Sequence, residues 1–133
     1  MITNKLYYGD NLNILRDYIK DESVDLIYLD PPFNSKANYN ILYQEPTGEQ
    51  SQAQITAFED TWHWTEEAER TFQEIIDTAP PAVVEIMDSF RKFVGVNDVM
   101  AYLTMMAIRL IELHRVLKPT GSIHLHCDPT ASH

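Results

Sequence analysis

An acid, two prolines and an aromatic residue follow a short, largely apolar run, and residues of these types at this spacing could do chemistry on a nitrogen atom. The run, Val24–Leu29, is typical of a strand buried on both faces of a parallel sheet. Because Pro31 disfavours helical geometry at the residue before it, the strand should stop at Asp30. Open α/β sheets hold ligands at the carboxyl ends of their strands, so a carboxylate, a carbonyl and the ring of Phe33 should face a ligand. A simple Asp-Pro turn is the alternative, but it gives no reason for Pro32 or Phe33.

These groups suit the alkylation of an amino group on a nucleobase. A carboxylate and a backbone carbonyl can accept the two amino hydrogens, which draws the nitrogen lone pair out of conjugation, and an aromatic face can hold a base taken out of the stack. The sequence Asp30-Pro31-Pro32-Phe33 resembles the Asp-Pro-Pro-Tyr/Phe signature of the amino-methyltransferases of DNA. The resemblance implies that these four residues are catalytic and that Asp30 also lies against the cofactor.

Two further stretches carry the same resemblance, in the order that the family has downstream of its catalytic strand. The first is a Phe-x-Asp-x-Trp element that ends at Trp62. The second is a long helix followed by a Leu-Lys-Pro-x-Gly turn at residues 117–121 and a strand that begins Gly-Ser-Ile. Together the matches cover most of the chain from Lys5 to Pro129. By resemblance, Asn34, Tyr39 and Trp62 are expected to bind the substrate.

A strand–helix–strand unit precedes the catalytic turn, as in an α/β sheet. Its predicted parts are a strand at Lys5–Tyr8, a helix from about Leu12 to Ile19 and the strand that ends at Asp30. Asp10 or Asn11 should cap the helix. The family has a Gly-Asp-Asn-like turn here near its cofactor, so the resemblance makes Asp10 a cofactor-binding residue, while a helix cap is the simpler role.

Three helices and a third strand are predicted downstream. The helices start at Thr65, at Pro80 or Pro81, and after an Asn97 or Asp98 cap; they end near Asp77, Gly95 and Leu117. The third strand should run from Ser122 to Cys127. The polar stretch from Asn34 to Gln54 should be a long loop, and both a flap over the substrate and a disordered segment fit its composition.

The aromatic, histidine and cysteine residues are further candidates for a base-binding or metal site. Trp62 and Trp64 are more typical of core anchors than of a wall against a base, although the Phe-x-Asp-x-Trp element favours a site for Trp62. His63 is predicted to lie on the surface. His124 and His126 share one face of a strand while Cys127 points away, so no metal site is predicted.

Composition limits the class of protein. The chain has 133 residues, 44% of them hydrophobic, which is enough for the core of one small domain. It has one cysteine and no apolar run that could span a bilayer, so a cytoplasmic protein without membrane contact is expected. The net charge of −10 leaves no basic stripe for phosphates. Either sequence outside this chain contacts DNA, or the chain does not bind DNA by itself.

The family's glycine-rich cofactor turn, Phe-x-Gly-x-Gly, does not occur among the four isolated glycines. In one circularly permuted class, the beta class of type III modification subunits, the catalytic half comes first and the cofactor half last. The expected fold is therefore α/β, a partial Rossmann-like methyltransferase fold with three αβα layers and few parallel strands. Residues 1–133 would form a single N-terminal catalytic portion with an insertion at about 34–97. The cofactor half and the target-recognition region would be absent.

The function implied is site-specific methylation of adenine N6 in DNA, with S-adenosylmethionine as the donor, although its full pocket is not present in this chain. Adenine is favoured because the family's cytosine-N4 members more often have serine where this chain has Asp30. The isolated chain is expected to be inactive or very weak. Implied partners are DNA through a parent enzyme, a second copy or another chain that completes the fold, and a restriction subunit. Two alternatives stay open: a non-catalytic interaction module, and a methyltransferase for RNA or protein amides.

Overall fold

Residues 3–31 and 62–126 are described by a computed structural model. In chain order the elements are α1 (Asn11–Tyr18), β1 (Val24–Leu29), α2 (Glu66–Thr78), α3 (Pro81–Val94), α4 (Asp98–Val116) and β2 (Leu117–Leu125). The two strands pair in parallel, so the described part of the chain is a mixed α/β structure, as predicted. Among these residues, no helix is both long and apolar enough to cross a bilayer.

The strand predicted at Lys5–Tyr8 is wrong, because the structure has no regular element there. The side chain of Leu6 is 98% exposed, and Tyr7 instead stacks on Tyr18 of α1 with ring centroids 5.3 Å apart. Aromatic residues favour a strand only where a neighbouring strand accepts them, and β1 pairs with β2 instead. The described residues therefore contain two strands where three were predicted.

The helix boundaries follow the capping signals in the sequence. The side chains of Asp10, Thr65 and Asn97 cap α1, α2 and α4, accepting hydrogen bonds from the backbone N–H groups of Leu12, Ala68 and Met100. Helix α3 begins at Pro81, where the absence of an N–H group is tolerated, and ends before Gly95 at φ 85°. All four predicted helices are confirmed to within one or two residues.

The prediction that β1 is buried on both faces is wrong for the described residues. Ile27 is buried under α1 and α4, but Leu26 is 60% exposed and Tyr28 is 69% exposed. The reason is that the helices that pack on the sheet, α1 and α4, both cover the face of Ile27. Three layers are therefore not seen in the described part of the chain.

Helix α4 belongs to two hydrophobic clusters. Its first part packs against α2 and α3 in a helical cluster whose buried members are Phe72, Ile75, Met87, Met100 and Ile108. Its last turns pack against the sheet in a second cluster of Ile27, Leu113 and Val116. The buried methionines Met87 and Met100 are thus core residues, as predicted. α4 is the element that joins the helical layer to the sheet.

A salt-bridged arginine closes the helical cluster on its outer side. Arg91 donates to both carboxylate oxygens of Glu69, at 2.9 and 3.0 Å, and its guanidinium lies 4.6 Å from the ring centre of Phe72 and 5.2 Å from that of Trp64. Hydrogen bonds from Arg91 lower the pKa of the Glu69 carboxyl. Trp64 also packs on Phe72, with ring centroids 6.3 Å apart, so it is a core aromatic as expected.

The turn predicted after α4 is a bulge inside β2. Val24 pairs with Leu117 and Leu26 pairs with Ser122, so β2 advances five residues while β1 advances two. Lys118 spans the bulge through a 2.9 Å ion pair with Asp25. The extra residues of the bulge explain why the sequence has turn residues here. The residues before and after the bulge nevertheless belong to the same strand, β2.

Replacing Gly121 with alanine should destabilise the chain. A Cβ atom there would lie 2.9 Å from the backbone oxygen of Asp25 and 2.5 Å from Cδ1 of Leu117, so the bulge would have to move. We expect the free energy of unfolding to fall by about 1–3 kcal/mol. Denaturant titration measures the loss, and exposed Thr120→Ala is the matched control. Equal stability of the two variants would show that the bulge accommodates a side chain.

Candidate active site

The carboxyl end of β1 opens into a cleft of about 310 Å³. The last backbone hydrogen bond at this end runs from the N–H of His126 to the carbonyl of Leu29, at 2.8 Å. Asp30 and Pro31 are the first residues beyond that bond, and both line the cleft. The acid and the first proline thus lie at the carboxyl end of the strand, as predicted, and face a cleft; that this cleft binds a ligand stays a prediction.

The N-terminus of α1 forms a second wall of this cleft. Gly9 and Asp10 line the cleft, and Asp10 accepts a 2.9 Å hydrogen bond from the backbone N–H of Leu12. Gly9 has a φ of 143°, which a residue with a side chain rarely adopts. The predicted cap role of Asp10 is therefore confirmed. The same residue also stands beside Asp30 on the cleft surface, although the two are 20 positions apart in the sequence.

The third wall comes from the middle of α4 and from Trp62. Arg109 is 8% exposed and lines the cleft together with Met105 and Met106. Its guanidinium carbon lies 5.5 Å from the centre of the Trp62 ring, within the range of a cation–π interaction. The half-buried Trp62 is therefore a cleft residue, while Trp64, two positions on, belongs to the helical cluster.

All three nitrogens of the Arg109 guanidinium donate hydrogen bonds. Its Nη2 donates to both carboxylate oxygens of Asp10, at 2.9 and 3.0 Å, and its Nε donates to Oδ1 of Asn11 at 2.9 Å. Its Nη1 donates to the carbonyl of Met105 at 2.8 Å. The charge of Asp10 is therefore compensated within the cleft wall.

Asp30 contrasts with Asp10. Within residues 3–31 and 62–126, no group donates a hydrogen bond to the exposed Asp30 carboxylate, and no cation pairs with it. Of the two carboxylates that line the cleft among the described residues, Asp30 is thus the one whose charge no described cation compensates. An acceptor on one wall and an indole on another can hold a flat molecule that carries an amino group.

Several predicted site residues lie outside the described residues. They are Pro32, Phe33, Asn34 and Tyr39, together with the loop predicted at Asn34–Gln54, and Cys127 of the predicted third strand. Their roles therefore stay predictions. Of the predicted site residues that the structure describes, all four, Asp10, Asp30, Pro31 and Trp62, meet at one cleft.

None of the four histidines that the structure describes lines the cleft. His63 is 60% exposed at its side chain, and its Nδ1 lies 3.1 Å from Oδ1 of Asp98, so its predicted surface position is confirmed. No group of three or more His, Cys, Asp or Glu side chains within the described ranges could hold a metal ion.

Arg109 was missed in the sequence, although a signal for it exists. It lies four residues after Met105 and four before Leu113, both of them buried, so it falls on the buried stripe of α4. An arginine on such a stripe is rarely buried without a partner. The partner, Asp10, is 99 residues earlier, and the helical pattern of α4 alone does not identify it.

The described residues form an α/β structure with a cleft at the carboxyl end of a parallel strand. The model of the DNA methylase family, which comprises the N6-adenine and N4-cytosine methyltransferases, matches residues 24–133. The chain therefore belongs to this family of DNA methyltransferases. Searches of curated proteins and of solved structures gave no significant match.

Proposed function

We propose that this chain is the N-terminal catalytic portion of a methyltransferase that transfers a methyl group from S-adenosylmethionine to N6 of adenine in duplex DNA. The observation that supports it most is the meeting of Asp30, Pro31, Asp10 and Trp62 at one cleft beyond the end of β1. The match to the DNA methylase family supports DNA as the substrate. Asp30, where cytosine-specific members more often have serine, favours adenine.

Asp30 and the Pro31 carbonyl would act on the amino group of the base. Each accepts one amino hydrogen, which localises the lone pair on the nitrogen and lets it act as the nucleophile. Trp62 would limit the position of the base from the opposite wall, and Phe33 would stack on it, with Asn34 and Tyr39 completing the substrate site. Positioning and charge placement would supply most of the rate enhancement.

The described residues fit the reacting end of S-adenosylmethionine, which supplies a methyl group activated by a sulfonium. Asp30 presents an accessible carboxylate at the cleft, which suits a cationic ligand. Asp10 would border the cofactor as a capping residue whose charge Arg109 already compensates. No described element offers a glycine-rich turn for the rest of the molecule, so we assign the rest of the pocket to the cofactor half of a parent enzyme.

The experiment that tests this function has two stages. Titration calorimetry with S-adenosylmethionine and light scattering on the 133-residue chain come first. Absence of binding is the expected result and supports a half-enzyme, whereas micromolar binding would show that a complete pocket forms, either in one chain or across a dimer. Duplex DNA methylated by the parent enzyme is then digested to nucleosides. N6-methyl-2′-deoxyadenosine is expected, and N4-methyl-2′-deoxycytidine, or methylation of RNA or protein alone, would overturn the proposal.

A non-catalytic interaction module is the second candidate, and one observation favours it. The sheet exposes large apolar side chains, namely Leu26, Tyr28, Ile123 and Leu125, at 44 to 69% of their surface. We propose that a second copy or another chain covers them and completes the sheet. This partner is compatible with catalysis too, so the methylation assay decides between the two functions.

A further inference from the structure

Three separate parts of the chain meet at the Arg109 side chain. Asp10 and Asn11 belong to the start of α1, Met105 belongs to α4, and Trp62 precedes α2. Four of the five guanidinium N–H groups can be accounted for by these hydrogen bonds, since Nη2 reaches both oxygens of Asp10. The side chain is 10% exposed, so water competes little for them.

We propose that Arg109 is a positioning residue of the active-site cleft, which fixes the start of α1 and the Trp62 ring in the cleft that Asp30 also lines. The expected effect on methylation kinetics rests on the proposed function, whereas the positioning of α1 and Trp62 by Arg109 does not. Arg109 does not reach the reacting atoms in this role. It sets the distance between the two walls that a base and a methyl donor would occupy.

The planar fork of arginine suits this role better than a lysine would. Nη2 contacts both oxygens of Asp10, Nε and Nη1 reach Asn11 and the Met105 carbonyl, and the guanidinium carbon lies 5.5 Å from the centre of the Trp62 ring, so one group contacts neighbours in several directions. A lysine could keep the positive charge, but its single amino group could not contact Asp10 and lie against the Trp62 ring at the same time. Arg109→Lys should therefore rescue the function of Arg109→Met only in part.

The chain contains a matched control for this arrangement. Arg91 also contacts both oxygens of one carboxylate, on Glu69, and also lies over a tryptophan ring, that of Trp64. It lies in the helical layer and does not line the cleft. Arg91→Met therefore removes the same chemistry from a place where it positions no site residue.

The first test follows Trp62 directly in the 133-residue chain. In a Trp64→Phe background, Trp62 is the only tryptophan, so its emission reports on the cleft wall alone. Arg109→Met should shift this emission to longer wavelength and increase its quenching by acrylamide. Arg91→Met, which in this background still removes the contact with both oxygens of Glu69 and with the Phe72 ring, should leave both unchanged. An unchanged Trp62 signal in a folded Arg109→Met chain would overturn the proposal. If that variant does not fold, Arg109→Lys and Asp10→Asn, which keeps the cap, give the same comparison.

The second test measures methylation kinetics in the parent enzyme. We expect Arg109→Met to raise KM for DNA about tenfold while kcat changes by less than about threefold, because the walls move but Asp30 stays at the strand end. Arg91→Met should leave KM unchanged. Equal effects of the two variants on KM would reduce Arg109 to a stability role and overturn the proposal. If the parent does not methylate DNA, the proposed function fails, and the Trp62 signal still decides whether Arg109 positions the wall.

Discussion

Alanine in place of Asp30 should abolish methylation in the parent enzyme that we propose, with kcat reduced at least about 100-fold. The carboxylate is exposed at the cleft, where it can accept hydrogen bonds from a bound amino group. Without it, the amino lone pair stays conjugated with the ring and is a poor nucleophile. Incorporation of labelled methyl groups into duplex DNA measures the effect.

Asp25→Ala is the matched control for this experiment. Asp25 is on the same strand, at the end away from the cleft, and its side chain is 80% exposed beside Lys118. Loss of such a surface ion pair should cost at most about 1 kcal/mol of stability and leave methylation unchanged. Circular dichroism should show both variants folded. Full activity of a folded Asp30→Ala variant would refute the role that we assign to this carboxylate.

Phe72→Ala should have the largest effect on stability. The Phe72 side chain is 3% exposed, contacts Trp64 and Arg91, and lies in the cluster that joins α2 and α3 to α4. Removing a buried aromatic ring typically costs about 3–5 kcal/mol, a large part of the stability of a domain of this size. We expect the variant to be largely unfolded at 37 °C in a thermal melt followed by circular dichroism.

Phe93→Ala provides the comparison, because Phe93 is 91% exposed at the end of α3. Its melting temperature should stay within a few degrees of that of the unchanged chain, since its ring buries little surface on folding. If both phenylalanine variants melted at the same temperature, the helical cluster would not be the core of this chain.

Local signals in the sequence were sufficient for the helices and for the catalytic strand. Capping residues such as Thr65 and Asn97, and the proline at the start of α3, act on the backbone within one turn, so they can be recognised without the rest of the fold. The placement of Asp30 at a strand end was accessible for the same reason, because Pro31 directly follows it. Those predictions depended on neighbours in the sequence.

Predictions that depended on distant neighbours were less successful. A strand at Lys5–Tyr8 needed a partner strand, and burial of Leu26 needed a cover on the second sheet face. Neither is a property of the segment itself. The pairing of Arg109 with Asp10 was likewise out of reach, because it joins positions 99 residues apart.

The position of α4 between two cores has a consequence for how this chain could be redesigned. Met100 and Ile108 of α4 pack against α2 and α3, while Leu113 and Val116 of α4 pack against the sheet. Helices α2 and α3 could therefore be exchanged for another helical unit that fits the first half of α4. Trp62 would have to be kept in such an exchange, because it lines the cleft and lies against Arg109. The strand pairing and the contacts of Arg109 with Asp10 and Asn11 would keep their own supports, because they are made with α1, α4 and the sheet. In engineering terms, α4 makes α2 and α3 a replaceable module, provided that Trp62 stays in place.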